Sequence, residues 1–349
     1  MNKKNILTYA IEKNPYLFFI VKGLSRILKR DLAYINFALY EYTNPKKLSI
    51  QTCGKDHQGC IVYVIKEQGM GYGFFAEFRG LLCNLIFAEE LGMIPYVYWG
   101  KNHLYYEEGT TAGNNIFKSY FKPVGVVDFR TSQNVVYSSM LQCEYIEKKY
   151  GVTGYSSNPE FEEELIKVLK KYIAIKPELE EEFKEQINKL FNGRKVLGVH
   201  HRGTDFKNGY TGHPVAVEIE EELERVQKLV EKHQMELIFL ATDEERVVYQ
   251  YYERFGAMMR WFPDVHRSDG CKSVAFSEDG RKNHHYLLGK EVLRDVYVLS
   301  SCHGLLAGKS QVSYFAKLFN RFRDDIEDFE CVEIIDKGVN GGAKYFKSK

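Results

Sequence analysis

The stretch "VLGVHHRGTDF", residues 196–206, opens as a buried strand and closes on groups that do chemistry. Polar side chains are costly to bury without partners, so His200, His201, Arg202, Thr204 and Asp205 belong at the rim of a core, facing something polar. Arg202 carries a planar fork suited to phosphate, and Gly203 after it lets backbone come close. A structural Arg–Asp pair beside a satisfied histidine is the plain alternative. Adjacent histidines point apart in a strand, so this pair makes a poor metal ligand set.

Four further places carry candidate chemistry. "GMGYG" sits between a strand pattern and a helix pattern, so Gly71, Tyr72 and Gly73 could bring backbone N–H groups to an anion. It fails the dinucleotide fingerprint, which needs glycine at Phe74. "GLLAGKS" is one residue short of a phosphate loop, yet Ser310 and Gln311 begin a helix directly after a strand. Ser310 reads equally as a helix cap. Asp243 ends "IFLATD", where Thr242 and Glu245 have capping-box spacing. Asp295 shares a helix face with Leu288, Val292 and Leu299. A carboxylate there needs a donor, either a structural cation or a ligand amine such as a nucleobase edge.

The elements that position these residues alternate. "IVYVI", "IPYVYW", "KVLGV", "LIFLA", "GLLAG" and "CVEII" read as strands, with amphipathic helices between them. That order predicts parallel sheets covered by helices, whose ligands bind beyond the carboxyl ends of the strands. Asp205 and its neighbours lie at such an end. Residues 100–190 read less clearly, apart from an acidic, solvated helix over 177–186.

With 349 residues, two domains are expected. The net charge of +1 argues against a nucleic-acid binder. Seven scattered cysteines suggest no disulfide framework and point to a reducing, cytoplasmic setting. No run is apolar enough to span a bilayer. The first fifty residues hold nine Lys and Arg against three Asp and Glu. Within them Leu17, Ile20, Val21, Leu24, Ile27 and Leu28 face away from Lys22, Arg26, Lys29 and Arg30, which suits a helix on an anionic membrane or one packed on its own protein.

"GVHHRGTD" resembles the H-x-R-x-T-D motif of the α1,6-fucosyltransferases, both the core N-glycan enzymes and the bacterial nodulation-factor enzyme. Protein O-fucosyltransferases and α1,2-fucosyltransferases share a looser form. "GMGYGFFAEFRGLL", "HPVAVEIEEEL", "IFLATD" and "EVLRDVYVLSSCHGLLAGKSQVSYFAKL" are similar to further family segments in the same order. The resemblance implies an α/β, GT-B fold of two Rossmann-like domains facing a central cleft. The boundaries would be a basic segment over 1–55, an acceptor-side domain over 56–190 and a donor-binding domain over 191–349. It implies inverting transfer from GDP-fucose to a glycan acceptor, with no metal and no other cofactor. Arg202 would bind the β-phosphate and His200 would contact the donor. Asp295 would read the guanine amine, Ser310 and Gln311 would hold phosphate, and Gly71, Tyr72 and Gly73 would close over the donor. Asp243 falls in the matching I-A-T-D strand, and Asp205 is the candidate base or the orienter of Arg202.

Two positions depart from the family. Gly203 stands where a second arginine is common, and "FKNGYTG" lacks the glutamate that the core enzymes carry after the arginine motif. The expected function is thus a cytoplasmic bacterial glycosyltransferase that builds a surface glycan, its basic segment at the inner membrane face. Rival readings are a GT-B enzyme using another nucleotide sugar, a phosphohydrolase using His200 or His201, and a non-catalytic nucleotide-sugar binding module.

Overall fold

The structure, a computed structural model, describes residues 48–69, 71–110, 114–203, 212–269, 274 and 280–340. Most of the basic segment, and Asp205, therefore lie outside the described residues. In the first half of the chain, β1 (Val62–Lys66) leads through the glycine-rich turn to α1 (Phe74–Glu90) and β2 (Ile94–Tyr98). A single-turn α2 (Phe117–Tyr120), a short β3 (Val135–Tyr137), α3 (Met140–Lys149), α4 (Pro159–Tyr172) and α5 (Pro177–Phe191) follow. The strands pair in parallel in the order β2-β1-β3.

The second half runs β4 (Val196–His201), α6 (Ile219–His233), β5 (Leu237–Thr242), α7 (Glu245–Phe255), β6 (Met259–Arg260), α8 (His284–Ser300), β7 (Gly304–Gly308), α9 (Gln311–Phe322) and β8 (Cys331–Ile335). These five strands are parallel, in the order β6-β5-β4-β7-β8. Chain order runs outward from β4 in one direction and from β7 in the other. The β4/β7 boundary is therefore the switch point at which such sheets open a crevice beyond their carboxyl ends.

Every strand expected from the sequence forms, and β4 is longer than expected, taking in His200 and His201. The helix expected over 177–186 is not simply solvated. It continues to Phe191 and buries Leu179, Phe183 and Phe191. The unclear region resolves into α3 and α4, capped by the side chains of Ser139 and Asn158.

The two sheets have separate strands, but their apolar core is shared. Phe74, Phe75 and Phe78 of α1 lie in one cluster with Val296 and Tyr297 of α8 and Phe315 and Phe319 of α9. Phe75 stacks on Phe315 with ring centroids 5.0 Å apart. The sequence boundary at 190/191 separates the sheets, and this core runs across it. No helix among the described residues is long and apolar enough to cross a membrane.

Candidate functional site

Arg202 and Gly203 leave the end of β4, and Asp243 leaves the end of the neighbouring β5. The Asp243 carboxylate holds both: Arg202 Nη1 donates to Oδ2 at 2.7 Å and Gly203 N donates to Oδ1 at 3.0 Å. The Arg202 side chain stays 29% exposed, so its fork is oriented yet accessible. The Arg–Asp pair weighed in the sequence thus exists, with Asp243 as the partner.

The expected capping box of Thr242 and Glu245 does not form. Glu245 is already the first residue of α7, Glu244 precedes it without a side-chain cap, and Thr242 Oγ1 accepts from Glu244 N at 3.2 Å. Asp243 is drawn aside to Arg202, and the Glu244 side chain turns inward, fully buried. A Cβ on Gly203 would stand 2.0 Å from Glu244 Oε1. The family's second arginine is therefore excluded here by a buried carboxylate. Gly203→Ala is expected to destabilise the fold by about 1–3 kcal/mol through this overlap, read as a lowered midpoint in urea.

On the β7 side of the crevice, Ser310 caps α9. Its hydroxyl accepts from Ser313 N at 3.1 Å while Ser313 Oγ accepts from Ser310 N at 2.9 Å. The capping role is real, and a helix start of this kind is where backbone N–H groups can meet an anion. Ser310 Oγ also lies 3.4 Å from His200 Nδ1. Burial first, then the charge of Arg202, push the His200 imidazole down to about 3, so it is neutral at physiological pH. Gln311 Nε2 donates to Gly154 O, and Gln311 Oε1 is buried without a partner. Lys309 is paired with Asp336 at 2.7 Å.

Asp295 lies half-buried on α8, with Leu299 buried and Leu288 and Val292 half-buried on the face expected. Among the described residues it makes no hydrogen bond and no ion pair. The nearby guanidinium groups have other partners. Arg294 takes Asp264 at 3.0 and 3.1 Å, Arg281 takes Glu291 at 2.6 Å, and Arg267 Nη2 donates to Phe262 O at 2.8 Å. Burial pushes the Asp295 carboxyl up to about 7, against the pull of Arg294 and Arg267. The segment bearing Arg267 reaches the Arg202 cluster, since Ser268 N donates to Asp243 O at 2.8 Å.

The glycine-rich turn is shaped from below. Gly71 takes a φ of +97°, which favours glycine, and Tyr72 is 37% exposed. Gly73 immediately precedes α1. Two residues not singled out in the sequence hold this region. Glu77 accepts from Gln68 N at 2.8 Å and Gly69 N at 3.3 Å, and burial raises its carboxyl to about 7. Arg79, 3% exposed, bonds Glu147 at 2.7 Å and the carbonyls of Thr153 and Ser156. Both could have been found as charges inside the apolar helix "FFAEFRGLLCNLIFAEE", the same signal that marked Asp295. No hydrogen bond joins Gly71, Tyr72 or Gly73 to the Arg202 cluster among the described residues.

The crevice thus brings together Arg202, Gly203 and Asp243, and His200 with Ser310. Asp295 stands beside it through Arg267. Among the described residues, the one cluster with metal-ligand geometry is Cys83, Cys143 and Glu147, beside Arg79.

No family model and no curated protein matches the chain. Among solved structures, it is similar to a NodZ α1,6-fucosyltransferase soaked with GDP-fucose, at 16% identity and a TM-score of 0.43, over 73% of this chain and 91% of that one. Fucosyltransferase NodZ from Bradyrhizobium aligns at 16% identity and a TM-score of 0.46 over the same shares. POFUT1 in complex with GDP aligns at 11% identity and a TM-score of 0.47, over 80% of this chain and 99% of that one.

Proposed function

We propose that the chain is a metal-independent, inverting glycosyltransferase that transfers fucose from GDP-fucose to a glycan acceptor. The observation that carries this reading is the pairing at the switch point. A clamped arginine leaves β4 and a capped helix start follows β7, so a cation and unpaired N–H groups face one crevice. That arrangement suits a leaving diphosphate. Asp295, half-buried and without a donor, suits the N1–H and amine edge of guanine.

In the reaction, an acceptor hydroxyl attacks the anomeric carbon from the face opposite the diphosphate. The new C–O bond forms as the bond from C1 to the phosphate oxygen breaks, and GDP leaves with the electron pair. Arg202 and the α9 N-terminus stabilise the charge that grows on GDP. Asp243 orients Arg202, and we assign acceptance of the hydroxyl proton to Asp205. Neutral His200 contacts the donor as a hydrogen-bonding group and does not compete with Arg202 as a cation.

A thermal-shift panel tests the reading. GDP and GDP-fucose at a hundred times Kd should stabilise the protein by about 2.7 kcal/mol, and UDP- and ADP-sugars should not. Stabilisation by UDP-sugars alone would move the assignment to another donor, and phosphate release from simple esters would favour a hydrolase. Transfer should also survive excess EDTA, because Arg202 and the helix start do what a divalent ion does in other transferases. Loss of transfer that Mn²⁺ restores would overturn that part.

A further inference from the structure

The most fully buried polar chain outside the crevice begins one residue before Arg202. His201 ends β4 with its side chain 2% exposed, and its Nδ1 lies 3.0 Å from Glu222 Oε1. Tyr251 donates its hydroxyl to the same oxygen at 2.6 Å. Glu222 on α6 and Tyr251 on α7 are both 0% exposed. His201 Nε2 and Glu222 Oε2 are buried and have no partner among the described residues.

A core gains little from such a group. Replacing a buried ion pair by apolar residues is often neutral or stabilising, and each unsatisfied buried atom calls for an explanation. The connectivity supplies one. The chain of bonds ties the end of β4 to α6 and α7, and α7 begins two residues after Asp243. Asp243 in turn holds Arg202 and Gly203. The two sets of contacts close a ring around the strand end that carries Arg202.

We propose that His201, Glu222 and Tyr251 are positioning residues that brace Arg202, and that the brace is strongest with His201 as an imidazolium. Its effect on transfer rests on the reading of Arg202 given above, whereas its effect on the strand end does not. The charged and titratable groups acting on His201 are Glu222 from α6, Asp243 and Glu244 after β5, and His200 beside it on β4, while Tyr251 from α7 shares the Glu222 oxygen. β7 brings Ala307 alongside His200, and it is not titratable. Burial alone would lower the histidine, but Glu222, with Asp243 and Glu244, outweighs it and raises it above the ordinary value. Its contribution is therefore complete below the ordinary histidine range and is lost as pH rises through the raised value.

The test is amide exchange at Gly203, whose N–H is bonded to Asp243, in the ligand-free full chain. Tyr251→Phe keeps the ring and removes one donor. His201→Asn keeps an amide near the Nδ1 position and cannot titrate. Tyr251→Phe should lower the Gly203 protection factor about tenfold, the weight of one hydrogen bond, with Leu197 and Ile238 unchanged. Wild-type protection at Gly203 should fall as pH rises above the ordinary histidine range, and that of His201→Asn should not. In transfer assays, kcat should drop in Tyr251→Phe with donor KM unchanged. Wild-type protection at Gly203 in Tyr251→Phe, or a flat pH profile in the wild type, overturns the brace. Protection that moves as expected in a protein with no transfer activity sinks the glycosyltransferase reading and leaves the brace standing.

Discussion

Arg202→Lys is expected to fold and to lose transfer by about a hundredfold to a thousandfold, near 3 kcal/mol of transition-state stabilisation. The diphosphate gains charge as the sugar leaves, so a fixed cation helps the transition state more than the ground state. Lysine keeps the charge and can still reach Asp243, but it replaces the planar fork with a single ammonium. Arg202→Ala should lose as much activity and some stability besides. It leaves the Asp243 carboxylate, 18% exposed, with the Gly203 N–H but without its cation. The measurement is transfer rate, with folding followed by circular dichroism. A folded Arg202→Lys protein with near-normal transfer would place the phosphate elsewhere.

Asp295→Asn should separate guanine recognition from stability. Guanine offers two donors to a carboxylate, and hydrogen bonds to a charged group are worth about 1.5–3 kcal/mol. GDP affinity should therefore fall by about tenfold or more, and affinity for UDP, where it binds at all, should not change. In the free protein the substitution should act in the opposite direction. The Asp295 carboxyl is raised to about 7, so its neutral form is the one the fold favours. Stability is then complete below the ordinary carboxylate range and is lost as pH rises through 7. An amide never ionises. The melting temperature of Asp295→Asn should exceed the wild-type value at pH 8.5, and the gap should narrow as pH falls and close only below about pH 4. A lower melting temperature at pH 8.5, with GDP affinity unchanged, would make Asp295 a structural group.

Much of the scaffold was legible because its pattern is strong. A parallel sheet buries both faces, and the apolar runs of β1, β4, β5 and β7 show it. Ser310 was legible both as a cap and as a neighbour of the crevice. The region between β2 and α5 was harder to read, although Ser139 with Gln142 and Asn158 with Pro159 were helix starts in plain view. What hid them was the three-residue β3, too short to show a period. Asp243 looked like part of a cap because spacing alone favoured it. The competing partner, Arg202, lies 41 residues away, and only the pairing of β4 with β5 brings it near. Glu244 and Glu222 were unreadable for a related reason. Each looks like a surface acid in an acidic helix start, and each turns inward toward a neighbour of Arg202.

The aromatic core shared by α1, α8 and α9 constrains how the two sheets can be separated. Phe315 packs against Phe75 and Phe78, and Phe319 lies beside both. Cutting the chain near residue 190 would strip these rings of their partners and bare them to water. A fragment beginning at 191 would then carry a greasy scar, prone to clump with copies of itself. The same seam ties the halves into one melting unit, so heating should show one transition and not two. Nor can the halves swing apart without tearing that seam.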